Sequence, residues 1–128
     1  MDTKEALTYS NRCLNQCYNP TGEPKLKKWE LSVTEDLFVR LRKTYLGGKQ
    51  EYYSFRMKRF NDLDYSGTVA AGILQLKTDT DNIIQQTYND PKGNEDNMVQ
   101  VLSLPVKNME PERLDSLRTA LLFLRNQK

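Results

Sequence analysis

The chain has 128 residues, of which 38% are hydrophobic and 28% charged, a composition typical of one globular domain rather than a disordered segment. Its formal net charge of +2 is too small to create a general attraction for nucleic acid or for a membrane surface. The sequence contains no histidine, which excludes catalytic triads with an imidazole base and histidine-ligated zinc or haem sites.

The N-terminal segment predicts an amphipathic helix over residues 3–18. Leu7, Leu14 and Tyr18 recur at helical spacing and mark one apolar side. The following Asn19-Pro20 ends the pattern, because proline cannot continue a helix.

Two cysteines, Cys13 and Cys17, lie on one side of this predicted helix. Side chains four residues apart have Cβ atoms about 5–6 Å from each other, whereas a disulfide needs about 3.8 Å. We therefore expect free, half-buried thiols. The alternative is a disulfide at a distorted helix end, which would indicate an exported protein.

Six stretches between residues 28 and 106 predict antiparallel strands. Most of them alternate apolar with polar residues, and turn residues separate them. The six are residues 28–34, 37–42, 52–57, 72–78, 82–89 and 98–106. Residues 61–67 and 89–97 are predicted as loops. Pro105 favours the edge of the sheet or the end of the last strand, since it has no N–H to donate.

The pair Gly47-Gly48 predicts a hairpin, and the length of its loop decides which side chains share a face. A two-residue loop would mix charged and aromatic residues on both faces. A three-residue loop with a bulge glycine separates them, so the hydrophobic pattern favours this longer loop. Its apolar face then holds Val39, Leu41, Tyr53 and Phe55. Its basic face holds Arg40, Arg42, Arg56 and Lys58.

The C-terminal segment predicts a helix over residues 111–126, with Pro111 at its first position. Its apolar stripe, which we expect to lie on the sheet, consists of Leu114, Leu117, Ala120, Leu121 and Leu124. Leu122 and Phe123 fall outside this stripe, one on each side, and form a candidate partner surface. We expect either the N-terminal helix or a second chain to cover them.

The order of helix, about six antiparallel strands and terminal helix predicts one α+β domain spanning residues 1–128. From residue 28 to 126 this order resembles the pleckstrin-homology-like superfold, which implies a bent antiparallel sheet with a C-terminal helix packed on it. Arg40-Leu41-Arg42 matches part of the basic pattern with which such domains bind phosphoinositides. The terminal helix lacks their tryptophan, and the turn before Arg40 is short and acidic, so we expect no phosphoinositide binding. The alternative folds are a cone-shaped open sheet and a small lipocalin-like barrel.

The candidate basic face has two interpretations. Arg40, Arg42, Arg56 and Lys58 are suited to bind phosphate or an acidic partner. The other interpretation is a solvated sheet face whose charges prevent edge-to-edge association.

The sequence shows no motif of catalytic, cofactor-binding or metal-ligating residues. We therefore expect a non-enzymatic interaction module that binds a protein partner or a second copy of itself, without nucleic acid, metal, cofactor or membrane insertion. The alternatives are a small-ligand carrier with an apolar cavity between sheet and terminal helix, and a histidine-free enzyme that uses carboxylates. No signal or membrane-spanning segment is visible, so we expect a soluble protein, and its compartment stays open.

Overall fold

The computed structural model describes residues 1–127, in which two α-helices enclose a series of eight β-strands. The elements in chain order are α1 (Thr3–Cys17), β1 (Leu26–Val33), β2 (Phe38–Tyr45), β3 (Gln50–Arg56), β4 (Phe60–Gly67), β5 (Ala71–Thr78), β6 (Ile83–Tyr88), β7 (Asp96–Val99), β8 (Val101–Lys107) and α2 (Pro111–Arg125). Two 3-10 turns, Pro20–Gly22 and Met57–Arg59, follow α1 and β3. The predicted α+β class is confirmed.

The first helix begins where its N-terminal N–H groups find partners. Asp2 accepts a hydrogen bond from the backbone N–H of Glu5 at 2.8 Å, and the Glu5 carboxylate accepts one from the Asp2 N–H at 3.2 Å. This reciprocal pair is a capping box. The helix ends at Cys17, ahead of Pro20, so the predicted N-terminal helix is confirmed to within one residue.

The strands form two antiparallel sheets, where the sequence predicted about six strands in one bent sheet. The larger sheet has the order β1-β2-β3-β6-β7, and the smaller has the order β4-β5-β8. Buried residues of both sheets and both helices form one hydrophobic core. No helix within residues 1–127 is long and apolar enough to cross a membrane.

The prediction of a loop at residues 61–67 is wrong, because this segment belongs to strand β4. Phe60 and Leu63 are both buried although they are three positions apart, an odd spacing that places residues of a regular strand on opposite faces. The register shifts between Phe60 and Asp62, where β4 pairs with β5. Such a bulge breaks the alternation of period two by which a strand is recognised.

The predicted last strand is divided between the two sheets. β7 pairs with β6 in the larger sheet, and β8 pairs with β5 in the smaller one. The chain crosses over at Gln100, whose carbonyl oxygen accepts from the N–H of Thr78 at 3.0 Å and whose amide donates to the Thr78 carbonyl at 3.3 Å. Apolar residues flank Gln100 on both sides, Met98 and Val99 before it and Val101 and Leu102 after it, so the sequence alone does not show this crossing.

The β2–β3 hairpin confirms the predicted three-residue loop. Tyr45 donates its N–H to the carbonyl of Lys49 at 2.9 Å, which leaves residues 46–48 as the loop. Gly48 has a φ of +91°, a left-handed conformation that suits glycine. The register then places Arg42 opposite Tyr52 and not opposite Tyr53.

Both sheets have edges whose backbone groups are satisfied by neighbouring segments. The Asn11 side chain accepts from the Val33 N–H at 2.7 Å and donates to the Val33 carbonyl at 2.9 Å, while Asn15 donates to the Leu31 carbonyl at 2.9 Å. These asparagines of α1 cover the edge of β1, which limits pairing with another chain there. Pro105 lies in β8 at the edge of the smaller sheet, as predicted.

The second helix packs its apolar stripe into the core. Leu117, Ala120, Leu121 and Leu124 have no exposed surface, while Leu114 is half-buried. α1 lies antiparallel beside it: Thr3 at the start of α1 contacts Gln127, and Cys17 at its end contacts Arg113 near the start of α2. The two helices therefore close the core together.

Candidate functional site

The larger sheet turns one face away from the core, and this outer face carries most of the predicted basic residues. Arg40 and Arg42 of β2 alternate with the buried Val39 and Leu41, and Arg56 of β3 lies on the same side. The side chains of the outer face on β2 and β3 are Phe38, Arg40, Arg42, Tyr52, Ser54 and Arg56. Those on β6 and β7 are Ile84, Gln86, Asp96 and Met98.

Aromatic rings lie between the arginines of the outer face. The guanidinium carbons of Arg40 and Arg56 lie 4.9 Å and 5.7 Å from the Phe38 ring centre, and that of Arg42 lies 5.0 Å from the Tyr52 ring centre. Such contacts orient guanidinium groups over aromatic faces. The predicted basic face included neither Phe38 nor Tyr52. The predicted hairpin register already implied Tyr52, since it pairs with Arg42.

The outer face ends in an open cleft of about 250 Å³. Its cationic lining comes from Arg56 at the end of β3 and from Lys58 and Arg59 on the 3-10 turn that follows. Its apolar lining includes Ile84 and Met98, which are 36% and 50% exposed. Lys58, which was predicted on the basic face of the hairpin, lies on the turn just after β3 and joins the same basic surface.

The cationic groups of the cleft differ from the arginines of β2, each of which has a carboxylate or an amide oxygen as a partner. Arg40 lies 3.6 Å from the carboxylate of Asp36, and Arg42 donates to the Gln50 amide oxygen at 2.9 Å. Within residues 1–127, no carboxylate oxygen lies within 4.0 Å of the cationic groups that line the cleft, those of Arg56, Lys58 and Arg59. Uncompensated positive charge and exposed apolar surface thus meet in one recess. Arg59, Ile84 and Met98 were not predicted, because they lie on the 3-10 turn, on β6 and on β7, and only folding brings these segments together.

The candidate partner surface at Leu122 and Phe123 stays a prediction, but its two side chains are not fully exposed. Both side chains are partly buried and pack against the core. Phe123 lies one turn before Gln127, which accepts a hydrogen bond from Thr3 of α1 at 3.1 Å. Leu122 lies one turn after Arg118, which donates to a carboxylate of β4 at 3.0 Å. Residues four apart share a side of a helix, so Leu122 lies on the side of α2 that contacts β4, and both side chains of the pair are only partly exposed.

The inner face of the same sheet carries a buried ionic network at the end of the β2–β3 hairpin. Lys43 lies 2.8 Å from Glu23, with side chains only 9% and 11% exposed, and 4.0 Å from Glu51. The hydroxyl groups of Tyr18 and Tyr45 donate to Glu23 at 2.6 Å and 3.2 Å. The carboxylate thus accepts hydrogen bonds from two tyrosines and a lysine.

These contacts set the ionisation of the network. Burial alone would raise the pKa of Glu23, but hydrogen bonds from Lys43, Tyr18 and Tyr45 outweigh it and hold the pKa below its ordinary value. Burial and the adjacent carboxylates raise the pKa values of Tyr18 and Tyr45, so both hydroxyls stay protonated as donors. Every charged group here has a partner, which indicates a structural role.

A third cluster lies between the helices. Cys13 and Cys17 are free, and both are buried rather than half-buried as expected. Arg113 of α2 directs its Nη1 at the Cys17 sulfur, 3.0 Å away. Hydrogen bonding from Cys13 and, against the effect of burial, from Arg113 lowers the pKa of Cys17 to about 6. The same pairing and burial raise the pKa of Cys13.

No family model, curated protein or solved structure matches this chain. Its resemblance to the pleckstrin-homology-like superfold therefore stays a prediction. Within residues 1–127, no group of three cysteine or carboxylate side chains is placed to hold a metal ion.

Proposed function

We propose that this chain is a protein-binding module whose outer face takes an acidic segment of a partner protein. The observation that carries the proposal is the cleft, where Arg56, Lys58 and Arg59 lack acidic partners within residues 1–127. Carboxylates of the partner would complement these charges, and one apolar side chain would contact Ile84 and Met98.

The composition of the outer face supports a protein partner. Arginine, tyrosine, phenylalanine and methionine are enriched where proteins bind one another, and arginine with aromatic residues dominates the binding energy. The outer face combines Arg42 with Tyr52, and Arg56 with Phe38. These contacts hold the guanidinium groups in place, so less side-chain entropy is lost on binding.

Two other functions fit less well. A nucleic-acid site usually draws on a strongly basic domain, and the net charge here is only +2. A small-ligand carrier needs a cavity under the terminal helix, whereas Leu117, Leu121 and Leu124 of α2 are fully buried in the core. Both observations favour the acidic protein segment.

The test selects peptides from a random phage-displayed library on the chain and measures their affinity by fluorescence anisotropy. We expect the selected peptides to place aspartate or glutamate beside a large apolar residue. Arg56→Glu should lower the affinity for the tightest-binding peptide at least about tenfold, because it puts a negative charge beside the carboxylate of the peptide. Met98→Asp should weaken it as well through loss of the apolar contact.

The matched control is Arg12→Glu, which makes the same charge change at an exposed position of α1. It should alter the affinity less than about twofold, since rim and distant charges contribute little. Equal peptide affinities for the Arg56→Glu and Arg12→Glu chains would contradict the proposal. A fluorescein-labelled thymidine oligonucleotide that binds more tightly than any peptide at about 150 mM salt, and that depends on Arg56, would replace it with a nucleic-acid site.

A further inference from the structure

The cluster of Cys13, Cys17 and Arg113 lies apart from the outer face and has the composition of a reactive thiol site. The two thiols lie one turn apart at the C-terminal end of α1, and α2 contributes the guanidinium. A cationic group in contact with a sulfur favours its thiolate form, which is the nucleophilic form. A second thiol one turn away is placed to react with an oxidised first one.

We propose that Cys17 is a hydroperoxide-reactive cysteine and that Cys13 resolves it to a disulfide. In the first step the Cys17 thiolate attacks one peroxide oxygen, and the O–O bond breaks. The sulfur is oxidised to a sulfenic acid, and the other oxygen leaves as hydroxide or alkoxide and takes a proton from water. In the second step Cys13 loses its proton and attacks the Cys17 sulfur, so that the S–S bond forms and water leaves.

Arg113 has two parts in this reaction. Its Nη1 lies 3.0 Å from the sulfur and stabilises the thiolate before attack. The Cys17 sulfur has no exposed surface and the half-buried Arg113 lies against it, so the proposed reaction requires Arg113 to rotate away before a peroxide can reach the sulfur. The lowered pKa of Cys17 has the direction that this contact with Arg113 predicts.

Closing the disulfide changes the end of α1. Helical cysteines four residues apart must approach by about 2 Å at Cβ, so the last turn has to distort. The residues that follow Cys17 contact β8 at the edge of the smaller sheet. Tyr18 forms a single β-bridge with Val106, and the Asn19 N–H donates to the Pro105 carbonyl at 2.8 Å. Oxidation therefore strains the contact between α1 and the edge of β8.

The test treats the folded full chain with hydrogen peroxide and follows its intact mass. Wild type should lose about 2 Da as the disulfide forms. The Cys13→Ser chain cannot resolve, so it should accumulate a sulfenic acid that dimedone traps with a gain of about 138 Da. The Cys17→Ser chain should give no dimedone adduct, since the thiol of Cys13 is protonated.

The role of Arg113 is tested by the rate of disulfide formation rather than by the amount of disulfide formed. Arg113→Gln should slow disulfide formation at least about tenfold, and Arg113→Lys should restore part of the rate through its charge. Arg118→Gln is the control on the same helix and should leave the rate unchanged. Wild type that keeps both thiols until it is denatured would overturn the proposal. Equal dimedone labelling of the Cys13→Ser and Cys17→Ser chains would overturn it too.

Discussion

The β2–β3 hairpin carries cationic side chains on both faces, and the two faces differ in whether these charges are buried and paired. On the inner face, Lys43 is 7% exposed and lies 2.8 Å from Glu23. On the outer face, Arg56 is exposed and has no acidic partner within residues 1–127. A buried charge without a partner is too costly for a folded chain, whereas an exposed charge keeps its hydration. Of these two faces, only the outer one therefore keeps a cation without an acidic partner within residues 1–127, and this is the group that the proposed partner would contact.

The largest effect is expected from breaking the inner pair. Lys43→Met should lower the free energy of unfolding by about 3–5 kcal/mol, because it leaves the Glu23 carboxylate buried without its cation. Arg56→Met is the matched control on the other face and should change stability by no more than about 0.5 kcal/mol. Urea denaturation followed by circular dichroism measures both. Equal losses of unfolding free energy in the two variants would show that the cations of the two faces contribute equally to stability.

A double variant tests whether the free energy of unfolding lost in Lys43→Met comes from the Glu23 carboxylate that is left without its cation. Adding Glu23→Gln to Lys43→Met should recover at least about 1 kcal/mol, because the neutral amide still accepts from the hydroxyls of Tyr18 and Tyr45. The double-mutant cycle compares urea denaturation of the four chains. Strictly additive losses would show that the two side chains act separately.

Lowering the pH should reduce the stabilisation that the Glu23 network on the inner face contributes to folding. The pKa of Glu23 is held below its ordinary value in the folded chain, so the unfolded chain takes up the proton at a higher pH. The stabilisation by Glu23 is therefore complete well above pH 4.5, its ordinary pKa, and is lost as the pH falls below that value through the lower folded pKa. Urea midpoints measured across this interval should fall more steeply for wild type than for the Lys43→Met, Glu23→Gln double variant. Parallel curves would contradict the role of Glu23.

The smallest effect is expected on the outer face. Arg42 and Tyr52, with 5.0 Å between guanidinium carbon and ring centre, should show a coupling of only about 0.5–1 kcal/mol. A double-mutant cycle of Arg42→Gln and Tyr52→Leu measures it by urea denaturation. A coupling as large as that of Lys43 with Glu23 would mean that the outer face also stabilises the fold.

Sequence patterns predicted the parts of the chain that obey one period. The alternation in β2 and β3, together with Gly47-Gly48, fixed the hairpin register and the shared face of Arg40, Arg42 and Arg56. The leucine stripe of α2 predicted its buried side. Strand β4 was missed because its bulge interrupts the alternation. The cleft was missed in part because Arg59, Ile84 and Met98 are distant in sequence.

The sequence by itself determined the α+β class, the two helices and the separation of apolar from basic residues on the hairpin, because these depend on contacts between residues near one another along the chain. Only the tertiary structure decided that Lys43 is buried, although it lies in line with Val39 and Leu41 on the apolar side of β2. Its partner Glu23 comes from the segment before β1, and the guanidinium beside Cys17 comes from α2. Charges are paired or left exposed by neighbours that folding brings together, and no local pattern contains those neighbours.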